Sequence, residues 1–153
     1  MAAVYLICDL SGSMAENGKT FVVRNLIRTV DQVARLRNTR NEMKLVLWSN
    51  LVEMFDWTLG DDVPQSLMQC KPSELSGAAL KESLSVTPED FLMLFTDGYW
   101  SDDVRKALGI LEGMLIKGHF RIVKIGEDAE SRVKGPSVFS AEDLLAALDG
   151  WAE

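Results

Sequence analysis

Two short apolar runs constrain this chain more than anything else in it: Ala3–Cys8 (AVYLIC) and Phe91–Phe95 (FLMLF), each followed within two residues by an aspartate, Asp9 and Asp97. An uninterrupted apolar run of this length reads as a strand buried on both faces, the environment of a parallel sheet covered by helices. In open sheets of that kind ligands sit at the carboxyl ends of the strands. Two strands that end in carboxylates therefore direct the search for a site.

The remaining elements alternate. Val22, Leu26, Thr29/Val30, Val33 and Leu36 recur at helical spacing and predict an amphipathic helix, with Arg24, Arg28 and Arg35 on its solvated face. Residues 43–48 and 51–57, separated by Ser49 and Asn50, predict a hairpin. Gly60 to Pro72 is polar and irregular, residues 74–84 predict a short helix, and Thr87–Asp90 a turn. Val104, Ala107, Leu108, Leu111 and Leu115 mark another helix, and residues 120–125 a further strand. Ser140, with Asp143 three residues on, predicts the start of a last helix whose buried stripe is Leu144, Leu148 and Trp151. Such alternation implies an α/β fold with three layers, α/β/α: a mostly parallel, doubly wound sheet with the hairpin adding one antiparallel edge strand. One domain over residues 1–153 is expected.

At the first strand end, Asp9, Ser11 and Ser13 are spaced i, i+2, i+4, which on extended backbone points them to one side and Leu10 to the other. Gly12 permits a sharp turn. The side chains on offer are all oxygen donors, which suits a hard cation such as Mg²⁺ (Mn²⁺ and Ca²⁺ are alternatives). The plain alternative is a βα turn with ordinary Ser/Asp hydrogen bonding. If the two aspartate-ended strands are neighbours, Asp97 faces the same point, and a cation relieves the repulsion between the carboxylates. Otherwise Asp97 caps the helix that begins near Ser101. A third loop, Pro72–Ser76, offers Ser73 or Ser76, either of which serves equally well as an N-cap.

Cys8–Met14 (CDLSGSM) resembles the metal-ion-dependent adhesion site motif, DxSxS, of von Willebrand factor A (VWA) domains. Thr96-Asp97-Gly98 resembles that family's later TDG motif, and residues 73–80 (SELSGAAL) its middle motif. The chain is similar to a small stand-alone prokaryotic member, over residues 3 to about 126. The middle motif departs from the family pattern, with Ser73 where a threonine is usual and Ser76 as the competing assignment. The resemblance implies the Rossmann-like VWA fold and a cation held by Asp9, Ser11, Ser13, Ser73 and Asp97. An open coordination position would take an Asp or Glu of a partner protein. It also implies a binding module without catalysis, a movable last helix, and partners such as AAA-type ATPases, kinases or phosphatases. Met14, Tyr99 and Trp100 are expected to rim the site, the aromatic pair because such residues concentrate binding energy at interfaces. Glu16, Asp102 and Asp103 give that rim a negative cast.

Composition bears on the rivals. The formal net charge of −7 argues against nonspecific nucleic-acid or anionic-membrane binding. Two cysteines, Cys8 and Cys70, provide no disulfide framework. No apolar run is long enough to span a membrane, and the start lacks a signal-peptide pattern, so a cytoplasmic location is expected. The strongest rival is a nucleotide-binding enzyme that uses Gly12, Gly18, Lys19 and Thr20 as a phosphate loop and Asp97 as its acidic partner. Five residues separate those glycines, where the phosphate loop needs four. A haloacid-dehalogenase-type phosphatase would need a second aspartate at Ser11. A structural adaptor with a degenerate metal site is the third reading. His119, the chain's one histidine, precedes a strand and so belongs at the opposite end of the sheet.

Overall fold

The computed structural model describes residues 2–70 and 73–153. Lys71 and Pro72, at the end of the expected irregular stretch, lie outside the described residues. Six strands form one sheet: β1 (Ala3–Asp9), β2 (Glu42–Trp48), β3 (Val52–Trp57), β4 (Phe91–Thr96), β5 (Phe120–Lys124) and β6 (Val138–Ser140). Their order is β3-β2-β1-β4-β5-β6. Every pair is parallel except β2 with β3, so the hairpin does form the antiparallel edge. Among the described residues four helices complete the fold: α1 (Lys19–Leu36), α2 (Gly77–Ser83), α3 (Asp102–Met114) and α4 (Leu144–Leu148). No described helix is long and apolar enough to cross a membrane.

Alternation along β1 builds the two cores. Val4, Leu6 and Cys8 pack toward α1 and α4 with Val23, Ile27, Leu144 and Trp151. Ala3, Tyr5 and Ile7 pack toward α2 and α3 with Leu80, Val104 and Leu111. Both faces of β1 are thus covered, which is why its sequence shows no polar alternation.

Several expectations need correction. The buried face of α1 is Val23, Ile27, Val30 and Ala34; of the predicted stripe Val30 is buried and Leu26 and Val33 pack against the core, whereas Val22 and Leu36 are exposed. The apolar band of this helix spans two adjacent stripes, and packing against the sheet selects one of them. The segment after β3 contains a 3₁₀ turn, Gln65–Met68, pinned by fully buried Leu67. β6 was not anticipated: three residues paired with β5 carry too little pattern to stand out. The last helix is five residues long, yet its predicted anchors Leu144, Leu148 and Trp151 are all buried. Its carbonyl end is clasped by two arginines. Arg37 donates to the carbonyls of Leu148 and Trp151 (2.9 and 3.0 Å), and Arg121 to those of Ala147 and Asp149 (both 2.8 Å).

Candidate metal centre

β1 and β4 are parallel neighbours, in a register that runs from Val4 beside Phe91 to Cys8 beside Phe95. The next position therefore sets Asp9 beside Thr96, whose hydroxyl donates to Asp9 Oδ2 at 2.7 Å. The other oxygen of Asp9 accepts the Ser11 N–H at 2.9 Å, turning the chain back over the strand end. Asp9 is 1% exposed. Burial pushes its carboxyl above the ordinary range, the hydrogen bonds from Ser11 and Thr96 pull it down, and nearby Asp97 adds to the rise.

After Ser11 the chain forms a 3₁₀ turn, Gly12–Ala15. Gly12 is not among the residues with left-handed φ, so the turn rests on 3₁₀ geometry rather than on glycine's special freedom. The turn brings the hydroxyls of Ser11 and Ser13 to 3.3 Å. It also carries Met14 inward. Met14, expected on the rim, is fully buried among Leu10, Ile27 and their neighbours, because the 3₁₀ turn directs it into the α1-side core.

Asp97 is fully buried. Its Oδ1 accepts the Tyr99 N–H at 3.3 Å and its Oδ2 the Lys19 ammonium at 3.4 Å. It does not cap α3: Ser101 does, accepting the Val104 N–H at 3.3 Å. Gly98 turns away at φ +83°, its N–H donating to Thr96 Oγ1 at 3.1 Å. Thr96 accepts a second donor, the Trp100 indole N–H at 3.0 Å. Trp100 is accordingly half-buried against the α3-side core, while Tyr99 stays 54% exposed.

The middle loop separates the two candidate serines. Ser76 Oγ accepts the Ala79 N–H at 3.1 Å and is the N-cap of α2. The backbone of Ser76 is stitched to the end of β2, through Ser49 O at 3.0 Å and the Trp48 indole at 2.9 Å. Ser73 Oγ, by contrast, is buried without a hydrogen-bond partner, alone in this among the described residues. It lines a cavity of about 340 Å³ together with Ser11, Ser13, Tyr99 and Trp100. Buried hydroxyls are ordinarily satisfied, so an orphan beside two further hydroxyls marks room for a ligand atom. Among the described residues no three His, Cys, Asp or Glu side chains gather as a metal cluster. What gathers here is hydroxyls above two carboxylates, a donor set that suits a hard cation retaining waters and not a soft one.

Four nearby residues have no part in the metal site expected from the sequence. Thr96 holds Asp9 in place, and only its position inside the TDG motif hinted at this. Lys19 is 1% exposed and donates to Ser13 O (3.3 Å), Asp97 Oδ2 (3.4 Å) and Asp128 Oδ2 (3.1 Å). Asp128 had no sequence signal. Cys70 is half-buried against the α1-side core, and its thiol is pushed up to about 11 by burial and by the charges of Asp9 and Asp97. Asp103, expected to colour the rim, accepts the Gly77 N–H at 3.2 Å instead. A larger cavity, about 960 Å³, opens beside the loop after β5 and is lined by Asp128 and Gly126, both of which also lie against Lys19.

No protein-family model and no curated protein matches the chain. Solved structures do. One is a von Willebrand factor type A protein from Catenulispora acidiphila (15% identity, TM-score 0.59, covering 97% of this chain and 40% of that one). Another is the manganese-loaded TRAP protein of Plasmodium vivax (14% identity, TM-score 0.59, 97% and 72%). A third is proximal thread matrix protein 1 of the mussel byssus with a zinc-occupied MIDAS motif (16% identity, TM-score 0.59, 95% and 44%). The chain thus spans less than half the length of two of these three. At such identities the likeness concerns architecture, and on that the sheet order, the helices on both faces and these neighbours agree: this chain has the von Willebrand factor A fold.

Proposed function

We propose that this chain is a divalent-cation-dependent protein-interaction module. Asp9, Ser11, Ser13, Ser73 and Asp97 would hold the cation, with Mg²⁺ the first choice and Mn²⁺ or Ca²⁺ the alternatives. Bound there, the cation supplies an electrophilic position for an Asp or Glu carboxylate of a partner protein. The observation that carries this reading is the orphaned hydroxyl of Ser73, buried at the cavity that Ser11 and Ser13 also line. Tyr99 forms the exposed rim and Trp100 a wall. An ATPase, kinase or phosphatase as partner rests on the sequence resemblance alone.

The nucleotide-binding rival needs Lys19 free for a phosphate, and Lys19 is buried and engaged by two carboxylates and a carbonyl. His119 stands at the far end of the sheet, its Nδ1–H 3.1 Å from the Asp90 carbonyl, so it gives the centre no base.

Thermal unfolding in EDTA and then in excess Mg²⁺ or Mn²⁺ tests the reading. The cation raises the melting temperature of the wild type by linkage, and Asp9→Ala abolishes the rise. A wild type indifferent to both cations overturns the proposal in favour of a metal-free adaptor. A shift with ATP that Lys19→Ala removes would restore the nucleotide reading.

A further inference from the structure

Lys19 is a fully buried cation in the wrong place for a helix. It is the first residue of α1, where a positive charge opposes the helix dipole, and the N-cap Gly18 offers no side chain in compensation. The fold nevertheless makes room for it. Gly126 (φ +93°) packs on its stem, and a Cβ there would lie 2.8 Å from Lys19 Cε and 2.7 Å from Asp128 Oδ1. Its three acceptors satisfy all three ammonium donors. Desolvation pushes its pKa down, but Asp128 and Asp97 outweigh this and leave it above the ordinary lysine value, so the charge is present at neutral pH.

That charge alters the electrostatics of the centre. Among the described residues, the buried charged side chains at this centre are Asp9, Asp97 and Lys19; Asp128 is about half exposed and screened by solvent. With both carboxylates ionised, as ligands of a cation are, two negatives and one positive leave a net single negative charge. A divalent cation turns this to a single positive, which a carboxylate neutralises. Without Lys19 the loaded centre would already be neutral, and an arriving carboxylate would build up buried negative charge.

Resting on the metal-site reading above, we propose that Lys19 is a specificity-determining residue: it weakens the centre's hold on its cation and in return makes the loaded centre prefer a carboxylate to a neutral ligand.

The test uses Mn²⁺ alone, followed by free Mn²⁺ in electron paramagnetic resonance, and then acetate titrated into the Mn²⁺-loaded protein, followed by water-proton relaxation. Lys19→Met binds Mn²⁺ more tightly and acetate more weakly, each by at least about tenfold, given the strength of charge pairs at this range. Asp128→Asn, at a half-exposed position, spares the fold should Lys19→Met unfold. It removes a solvent-screened negative charge beside Lys19, so it shifts both affinities the opposite way by a smaller factor, with Mn²⁺ weaker and acetate tighter. Unchanged affinities, or two that fall together, overturn the inference and leave Lys19 a structural ion pair. A wild type that binds no Mn²⁺ overturns the metal-site reading and this inference with it. A wild type that binds Mn²⁺ while the variants do not diverge overturns this inference alone.

Discussion

The two ends of the sheet treat their polar groups differently. At the amino end, buried Asp90 accepts the Ala3 N–H at 2.9 Å and the Thr87 N–H at 2.8 Å. The His119 carbonyl takes the N–H of Leu92 at 3.0 Å and the indole N–H of Trp151 at 2.9 Å. There, side chains are used up on the backbone. At the carboxyl end, Ser11 and Ser13 bond each other, Asp97 is held by a lysine, and Ser73 Oγ bonds nothing. Asp9 and Asp97 still accept one backbone N–H each at that end, so the difference lies in the hydroxyls: among the described residues only Ser73 Oγ is buried with no partner. That orphaned hydroxyl supports the proposed site independently of any relative.

The largest expected effect is at the closed end. Asp90→Ala strands two backbone N–H groups and costs about 3 kcal/mol in urea denaturation, with cation affinity unchanged. A change in affinity would show that the ends are not independent.

Asp9→Asn probes the open end. It loses the cation's stabilisation, about 2.7 kcal/mol at a hundredfold excess over Kd, while cation-free stability stays within about 1 kcal/mol of wild type. The sign with pH follows from burial, which raises the Asp9 pKa in the fold. Stability from this group is fully present below the ordinary carboxylate range and is lost as pH rises through the raised value. In EDTA, wild type therefore loses stability relative to Asp9→Asn across that window. Urea midpoints from pH 3 upward, at about half-unit steps, measure it.

The two middle-loop serines sharpen the comparison within one loop. Ser76→Ala removes a helix cap and costs about 1 kcal/mol without touching Mn²⁺ binding. Ser73→Ala loses no hydrogen bond and leaves stability unchanged, but weakens Mn²⁺ about tenfold. Equal effects of the two on Mn²⁺ would remove Ser73 from the site.

The smallest effect is chemical. With its thiol near 11, Cys70 reacts slowly with iodoacetamide at pH 8, and its rate rises about tenfold per pH unit toward pH 10. A bound cation offsets the Asp9 and Asp97 charges that help hold the thiol up, so saturating Mg²⁺ speeds the reaction at pH 8. Intact-mass kinetics record both.

The sequence made the frame legible because apolar runs such as Ala3–Cys8 admit few burials, and strands ending in aspartate point to one edge. Less of the local detail could be read. Ser73 and Ser76 are identical in type, and only the tertiary course of the loop decides which hydroxyl caps α2. Met14 belongs to a recognisable motif, yet the 3₁₀ turn carries it into the core. Lys19 sits where a phosphate loop would hold its lysine; its true partners, Asp97 and Asp128, are 78 and 109 positions away. Long-range charge pairing of that kind leaves no local pattern.

The arginine-clasped tail has a practical consequence. Asn41 Nδ2–H donates to the Ala152 carbonyl at 3.3 Å, and the Glu42 N–H donates to the Ala2 carbonyl at 3.3 Å. Both described extremities of the polypeptide therefore converge on the entrance to β2. A tether, label or fusion attached at either extremity hangs from the underside of the molecule and leaves the hydroxyl-lined crown clear.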